Sequence, residues 1–312
     1  MEASACDVRP RIGVSSCLLG EPVRYNGGHS RSRFLTDVLA AYVDWVPYCP
    51  EMEIGLGTPR ETLRLTDAGR LIAHSGAPDH TDAMAALPLP VGLDGYVFKA
   101  KSPSCGIHGI PRYAGSGQPA DRRGKGVYAE RLMEADPLLP VEDEGRLNDA
   151  VLREAFVERI FAGARLRKLF GDGWRPRDLV AFHSRHKLQL LAHDPEGYRA
   201  AGRVVAQAGT RPRAETEEEY GAVFRAALAH KATRGMHANA LQHAFSQISE
   251  LLDDTRRHDI LASVESFRTG DTPLSVPVAL LSHHAHAEAV AWTAEQTYLA
   301  PFPAGLRLRH HL

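Results

Sequence analysis

VFKAKSPSCGIHG, residues 97–109, begins as a strand and ends as a loop. Tyr96-Val97-Phe98 is a short, apolar, β-prone run, the pattern of a buried strand. Lys99 to Ser102 lead out of it. Pro103 cannot continue a sheet ladder, and Gly106 tolerates backbone angles closed to other residues. Cys105 therefore stands just past the C-terminal end of a strand, the edge at which open α/β sheets bind ligands. Two other cysteines have the same address. Ile12-Gly13-Val14-Ser15-Ser16 runs into Cys17, and Trp45-Val46-Pro47-Tyr48 runs into Cys49. If the three strands are parallel neighbours, three thiols converge.

Three converging thiolates can serve a zinc ion, a disulfide with a spare thiol, or three irons of an iron–sulfur cluster. Cysteine is also a common core residue, and plain burial is the fourth reading. No two of these cysteines are close in sequence, as the C-x-x-C of a zinc ribbon is. A reducing cytosol disfavours a disulfide, and the flanking prolines and glycines speak against simple core packing. A [4Fe–4S] cluster held by three cysteines leaves one iron open, which is the logic of a catalytic metal centre. Cys6 falls in an N-terminus expected to fray and is taken as incidental.

SSCLLG with VRYNGG, CPE with TPRET, and KSPSCG with RRGKGVYA follow one another between roughly residues 10 and 140. Together they resemble the TudS-type thiouracil desulfurases. That resemblance implies a [4Fe–4S] cluster with three cysteine ligands, Cys17, Cys49 and Cys105, whose one open iron takes the sulfur of a thiolated pyrimidine. It also implies a catalytic carboxylate at Glu51 of CPE and a catalytic serine at Ser102, with Ser104 of the same motif as the alternative.

Around these motifs the sequence is glycine-rich and charged. Arg24 sits in a loop with Gly20, Gly27 and Gly28; it is either solvated or meets an anionic ligand beside Cys17. Phe34 to Val43 has helical spacing and would join the first strand to the second as a parallel, right-handed crossover. Glu51, two residues past Cys49, can act as an acid or base, and Arg60 follows in the loop after it. Leu63 to His74 reads as a hairpin turning at Asp67-Ala68-Gly69, and Thr81–Leu87 as a short helix. Gly115, Gly117, Gly124 and Gly126 surround Arg122, Arg123 and Lys125 without a Walker pattern. This is a mobile basic loop, either solvated or a phosphate-contacting lid. Tyr128 to Glu134 reads as a helix. The expected substrate contacts are Arg24, Arg60, Ser104, Arg122 and Arg123.

The chain has 312 residues, 44% hydrophobic and 24% charged, an ordinary globular composition with room for two domains. It has no apolar run long enough to cross a membrane and no apolar leader core, so a cytoplasmic protein is expected. Four scattered cysteines are not a disulfide framework. From Asp149 the strand-like runs cease and apolar residues recur three and four apart, as in Leu152, Ala155, Phe156 and Ile160. The expected architecture is an α/β N-terminal domain with a parallel, Rossmann-like sheet over residues 1–148, then an all-α C-terminal domain over 149–312. Helices are expected at Pro176–Ala192, Pro195–Ala208, Thr216–Lys231, Met236–Leu252, His258–Thr269 and His284–Tyr298, with Pro273 and Pro277 interrupting.

Residues 1–150 hold 16 Lys+Arg against 20 Asp+Glu, residues 151–312 hold 21 against 18, and twelve of the 16 histidines fall in the second part. This balance does not by itself predict nucleic-acid binding. Distribution is more telling. His183, His186 and His193 share one expected helix with Lys187, while His230, Arg234, His237 and Leu241 follow i, i+4, i+7, i+11 spacing. These polar faces are read as helix surface, or as a cationic, stacking surface for RNA at His183, Lys187, His230, Arg234 and His237. No H-E-x-x-H is present to make a metal site of them. FHSRHKLQLLAHDPEGYRAAGRVVA, ATRGMHANALQHAFSQIS, TPLSVPVALLSHHA and YLAPFPAGLRLR resemble the YbgA-type domain, with AFSQ replacing a lysine-bearing stretch that the family tends to carry after LQH. The fusion of the two resembles bacterial desulfidases that remove sulfur from 4-thiouridine in tRNA. The expected partner is tRNA or a thiolated pyrimidine, with no membrane and no obligate protein partner. The rival functions are a desulfurase of free thiopyrimidines such as 2-thiouracil, and a non-enzymatic thiolate module that binds metal and RNA.

Overall fold

The computed structural model describes residues 8–115, 117–171 and 173–311; Cys6 lies outside them. The chain divides into two compact units, one running Arg9–Phe156 and the other comprising Val8 and the chain from Val157 onward.

The first unit has strands β1 (Arg11–Ser15), β2 (Asp44–Tyr48), β3 (Leu63–Thr66), β4 (Leu71–Ala73), β5 (Gly95–Phe98), β6 (Ile110–Tyr113), β7 (Pro119–Gly124) and β8 (Val141–Asp143). It also has helices α1 (Pro50–Glu53), α2 (Thr81–Ala85) and α3 (Val127–Ala135). One sheet has the order β2-β1-β5-β8 and every neighbouring pair in it is parallel. Ile12, Val14, Tyr96, Val97 and Phe98 are fully buried, the apolar continuity that a strand covered on both faces requires. Gly13 is part of that packing. A Cβ there would stand 2.2 Å from the Tyr96 ring on the neighbouring strand, a ring that stacks on Phe98 at 4.0 Å.

A second sheet has the order β4-β3-β6-β7. β3 and β4 form the hairpin expected at Asp67–Gly69, with Gly69 at a φ of +78°. The mobile basic loop expected around Arg122 and Arg123 is instead strand β7, antiparallel to β6. Arg112 Nε donates to Asp121 across the pair at 2.9 Å. Gly124 lets the two backbones close, since a Cβ there would lie 2.8 Å from the Ile110 carbonyl oxygen. The helix expected over 34–43 is also absent as a regular element: a wide turn, Phe34–Val38, is followed by a tight one, Leu39–Ala41. Leu35 and Leu39 still point into the core. The Thr36 hydroxyl donates to Ser32 O at 3.2 Å, the local competition that weakens a regular helix.

α4 (Ala150–Gly171) carries the chain into the second unit, which continues with α5 (Pro176–Arg185), α6 (Lys187–His193), α7 (Pro195–Gln207), α8 (Arg213–Ala229), α9 (Arg234–Ser246), α10 (Asp254–Thr269), α11 (Ser275–Ala287) and α12 (Ala291–Ala294). The single helix expected over Pro176–Ala192 breaks at His186, whose ring Nδ1 donates to the Phe182 carbonyl at 2.8 Å. Pro277 does not interrupt: it lies in the first turn of α11, where a missing N–H costs no helical bond. One core gathers around Leu188, Leu241, Ile260 and Leu281, another around Phe182, Tyr220 and Phe224. No helix among the described residues is long and apolar enough to cross a membrane.

Candidate functional site

Parallel pairing sets the tips of β2, β1 and β5 side by side. Ser15 is opposite Tyr48, and Val14 is opposite Val97. Beyond Ser15 the chain tightens into a turn, Ser16–Leu19, that carries Cys17 and closes at Gly20 with a φ of +101°. Beyond Tyr48, Cys49 stands immediately before α1, whose first residue is Pro50. Cys105 comes later, on a loop fixed by the start of α3. Gly126 N–H donates to Gly106 O at 2.7 Å, Val127 N–H to Pro103 O at 3.1 Å, and Tyr128 N–H to Ser104 O at 3.1 Å. A Cβ on Gly126 would stand 2.4 Å from the Ser104 carbonyl carbon, so this docking requires glycine.

Cys17, Cys49 and Cys105 are free thiols that line one cavity of about 330 Å³. Burial raises the pKa of all three: Cys17 to about 11, Cys105 well above the ordinary thiol range. The Cys17 and Cys49 thiolates also disfavour that of Cys105. Cys49 raises Cys17, and for Cys105 the second cause after burial is the Glu51 carboxylate. Against this, the N–H groups of Met52 and Glu51 favour the Cys49 thiolate, and Lys99 favours that of Cys17.

Glu51 lines the same cavity and is held at both oxygens. Its Oε2 accepts from Arg60 Nε at 2.9 Å and Nη2 at 2.6 Å, and its Oε1 accepts from Ser104 Oγ at 2.8 Å. Arg60 lines the cavity but is almost entirely enclosed, its other bonds going to Gly57 O and Val23 O. It orients Glu51 rather than offering a free fork to a ligand. Ser104 is fully buried behind the wall. Ser102 lines the cavity, and its Oγ accepts from Ser104 N–H at 3.2 Å and Cys105 N–H at 3.1 Å. Arg24 lines it too, its guanidinium over the Tyr25 ring. Arg122 and Arg123 are exposed on β7 and do not line the cavity. Lys99, passed over in the sequence as linker, does line it, and it pairs with Glu144. The signal available for it was its position: a cation at the last step of a strand that leads to a thiol.

The family model described as 2-thiouracil desulfurase matches residues 12–144. YbbK of Bacillus subtilis, an uncharacterised protein, is 33% identical over 157 residues, which cover 98% of its length and 44% of this chain. The chain belongs to the 2-thiouracil desulfurase family. A solved structure, the [4Fe-4S]-dependent thiouracil desulfidase TudS, is 29% identical, with a TM-score of 0.38 over 48% of this chain and all of its own. Residues 187–303 match a second family, described as a protein of unknown function, DUF1722. YbgA of Escherichia coli, also uncharacterised, is 31% identical over 156 residues, covering 90% of its length and 49% of this chain. The desulfurase family is thus joined here to the YbgA family, as the motifs of both parts imply.

The cysteine cavity suits a multi-iron group. Among the described residues no three His, Cys, Asp or Glu side chains come close enough to share one metal ion. Three free thiols around one cavity are a donor set that fits a cluster offering each cysteine its own iron. A cationic centre between them also offsets the burial and mutual repulsion that keep the thiols protonated.

The expected RNA face of the helical unit looks different in the structure. His183 is half-buried, stacked on Tyr198, with Nδ1 3.2 Å from the Tyr220 hydroxyl, and burial lowers its pKa to about 4. His237 is half-buried, Nδ1 2.9 Å from the Tyr298 hydroxyl, and burial lowers its pKa to about 3. Neither is a cation at neutral pH. Arg234 donates to Phe267 O at 3.0 Å and lies over the Phe267 ring, closing the end of α10. His230 is exposed, Nδ1 3.1 Å from Asp194, and Lys187 lies over the Trp292 ring. Aromatic partners from distant helices, invisible in local spacing, take His183, His237 and Arg234 inward, while His230 stays exposed.

Proposed function

We propose that the protein is a cytoplasmic, non-redox desulfidase that converts 4-thiouridine in tRNA to uridine, with residues 1–148 as the catalytic domain and 149–312 as the tRNA-holding domain. The observation that carries this reading is the cavity in which three free cysteines meet a Glu51 carboxylate clamped by Arg60 and Ser104. Cys17, Cys49 and Cys105 would hold a [4Fe–4S] cluster. When bound, it supplies an iron with an open position, a Lewis acid for a thiocarbonyl sulfur.

The chain's own residues supply the rest. Arg60 and Ser104 fix the Glu51 carboxylate, so it takes the proton of the attacking water and returns it to the departing sulfur. Ser102 Oγ accepts two backbone N–H bonds, so its own proton is directed outward, toward a substrate heteroatom. Arg24 and Lys99 give the cavity a positive rim suited to the charge that develops on sulfur and oxygen. The balance is hydrolytic: the thiocarbonyl carbon gains the oxygen of water, sulfur leaves as hydrogen sulfide, and no oxidant is consumed. Residues 151–312 hold the excess of basic residues, 21 Lys+Arg against 18 Asp+Glu, a balance compatible with contacts to phosphate and RNA shape.

The test compares substrates on the anaerobically purified full chain. Sulfide release from tRNA bearing 4-thiouridine should exceed that from free 2-thiouracil at equal concentration. Turnover of free 2-thiouracil with none of the tRNA would make the protein a thiobase desulfurase.

A further inference from the structure

The helical unit contains a second cavity, larger than the cysteine cavity and built from different chemistry. Its volume is about 540 Å³, within the range of small-molecule sites. Buried aromatic residues line one part: Trp174 and Phe182, each 3% exposed, and His186, 2% exposed, stacked on Phe182 with ring centroids 4.0 Å apart. Cations line another: Arg165 on α4, anchored by its bond to Pro301 O at 2.7 Å, Lys168 one turn later, and the exposed Arg185 at the end of α5. Among the described lining residues the acids are Asp178, engaged by Arg175, and the exposed Glu295.

His186 adds a specific demand. Its Nδ1 donates to Phe182 O at 2.8 Å, which fixes the tautomer and leaves Nε2 as a lone-pair acceptor. That nitrogen is buried and has no hydrogen-bond partner among the described residues. Burial lowers the ring's pKa to about 3, so it stays neutral. A donor N–H on a ligand is what this wall lacks.

We propose that this cavity binds a nucleoside 5′-monophosphate, its planar base against Trp174, Phe182 and His186 and its phosphate at Arg165, Lys168 and Arg185. Aromatic surface takes any base by stacking, and guanidinium groups pair with phosphate in two-pronged fashion. The nucleotide is either free in solution or one unit of an RNA chain; the chemistry is the same. The inference does not rest on tRNA being the desulfurisation substrate.

The experiment is calorimetric titration of the cluster-loaded full chain with adenosine 5′-monophosphate, chosen because a purine does not report on a pyrimidine site at the cysteines. One saturable site per chain is expected. Arg185→Ala, an exposed substitution, should weaken the monophosphate about tenfold and leave adenosine unchanged. His186→Phe should weaken both. If that variant fails to fold, the ring-carbon NMR signal of His186 in the unaltered protein should shift on titration. Displacement by oligoadenylate assigns the cavity to RNA, and monophosphate binding without displacement assigns it to free nucleotides. No saturable binding, binding indifferent to Arg185→Ala with an unmoved His186 signal, or equal competition by inorganic phosphate overturns the proposal.

Discussion

Replacing Arg234 with methionine separates a structural arginine from an RNA-binding one. Arg234 Nη1 donates to Phe267 O at 3.0 Å and the guanidinium lies 5.7 Å from the Phe267 ring centroid. It packs where α10 ends at Gly270, whose φ is +97°. Three contributions are lost together. A charged hydrogen bond to a carbonyl contributes about 1.5–3 kcal/mol, a half-exposed cation–π contact about 0.5–1 kcal/mol, and a cation at a helix C-terminus a few tenths more. Methionine keeps part of the packing, which leaves a net loss of about 2–3 kcal/mol. For a unit of this size that lowers the melting transition by about 5–10 °C. The assay is thermal unfolding of the full chain followed by circular dichroism at the helical signal, with tRNA affinity measured on the folded protein. An unchanged transition with a large loss of tRNA affinity would refute the structural assignment and return Arg234 to an RNA-contacting face.

Glu51→Gln should assemble the same chromophore and lower turnover by about 10²–10⁴; unaltered turnover would remove Glu51 from the chemistry. Gly126→Ala places a methyl 2.4 Å from the Ser104 carbonyl carbon and must displace the Cys105 loop, so bound iron should fall while the helical unit melts as before; full iron content would contradict the docking role of Gly126. The buried histidines make the helical unit acid-sensitive. Burial lowers His183 to about 4 and His186 and His237 to about 3 from the ordinary 6.5, so the unfolded chain binds more protons between those values. Stability is therefore complete above pH 6.5 and falls as pH drops toward 4, by about 2 kcal/mol per histidine at pH 5; His193, whose pKa is raised by Glu158 despite its burial, works in the opposite direction. A urea midpoint that is the same at pH 7 and pH 5 would contradict this.

The cysteine-tipped strands were legible because each signal was local. An apolar run, a proline or glycine, and a thiol in sequence place Cys17 and Cys49 beside the tips of β1 and β2, and connection rules favour the parallel pairing of these strands, whereas Cys105 stands farther on, on a loop docked against α3. The clamp on Glu51 was not legible. Ser104 and Arg60 reach it from separate loops, 53 and 9 residues away in sequence, and nothing in either local pattern announces the partner. The inward partners of His183 and His237 were not legible for the converse reason. Helical spacing identifies which residues share a side but not what lies opposite, and here Tyr198, Tyr220 and Tyr298 lie opposite. The strand β7 was missed because its glycines and charges mimic a loop until Arg112 and Asp121 are seen across the ladder.

Iron and acid-labile sulfide, measured on the anaerobically purified chain and on its cysteine variants, test the central claim most directly. Roughly four irons and four sulfides per chain are expected for a [4Fe–4S] cluster, lost together with sulfide release in each of Cys17→Ser, Cys49→Ser and Cys105→Ser and retained in Cys6→Ser. Stoichiometric zinc in place of iron, or an intact cluster and full turnover in Cys105→Ser, would contradict the account.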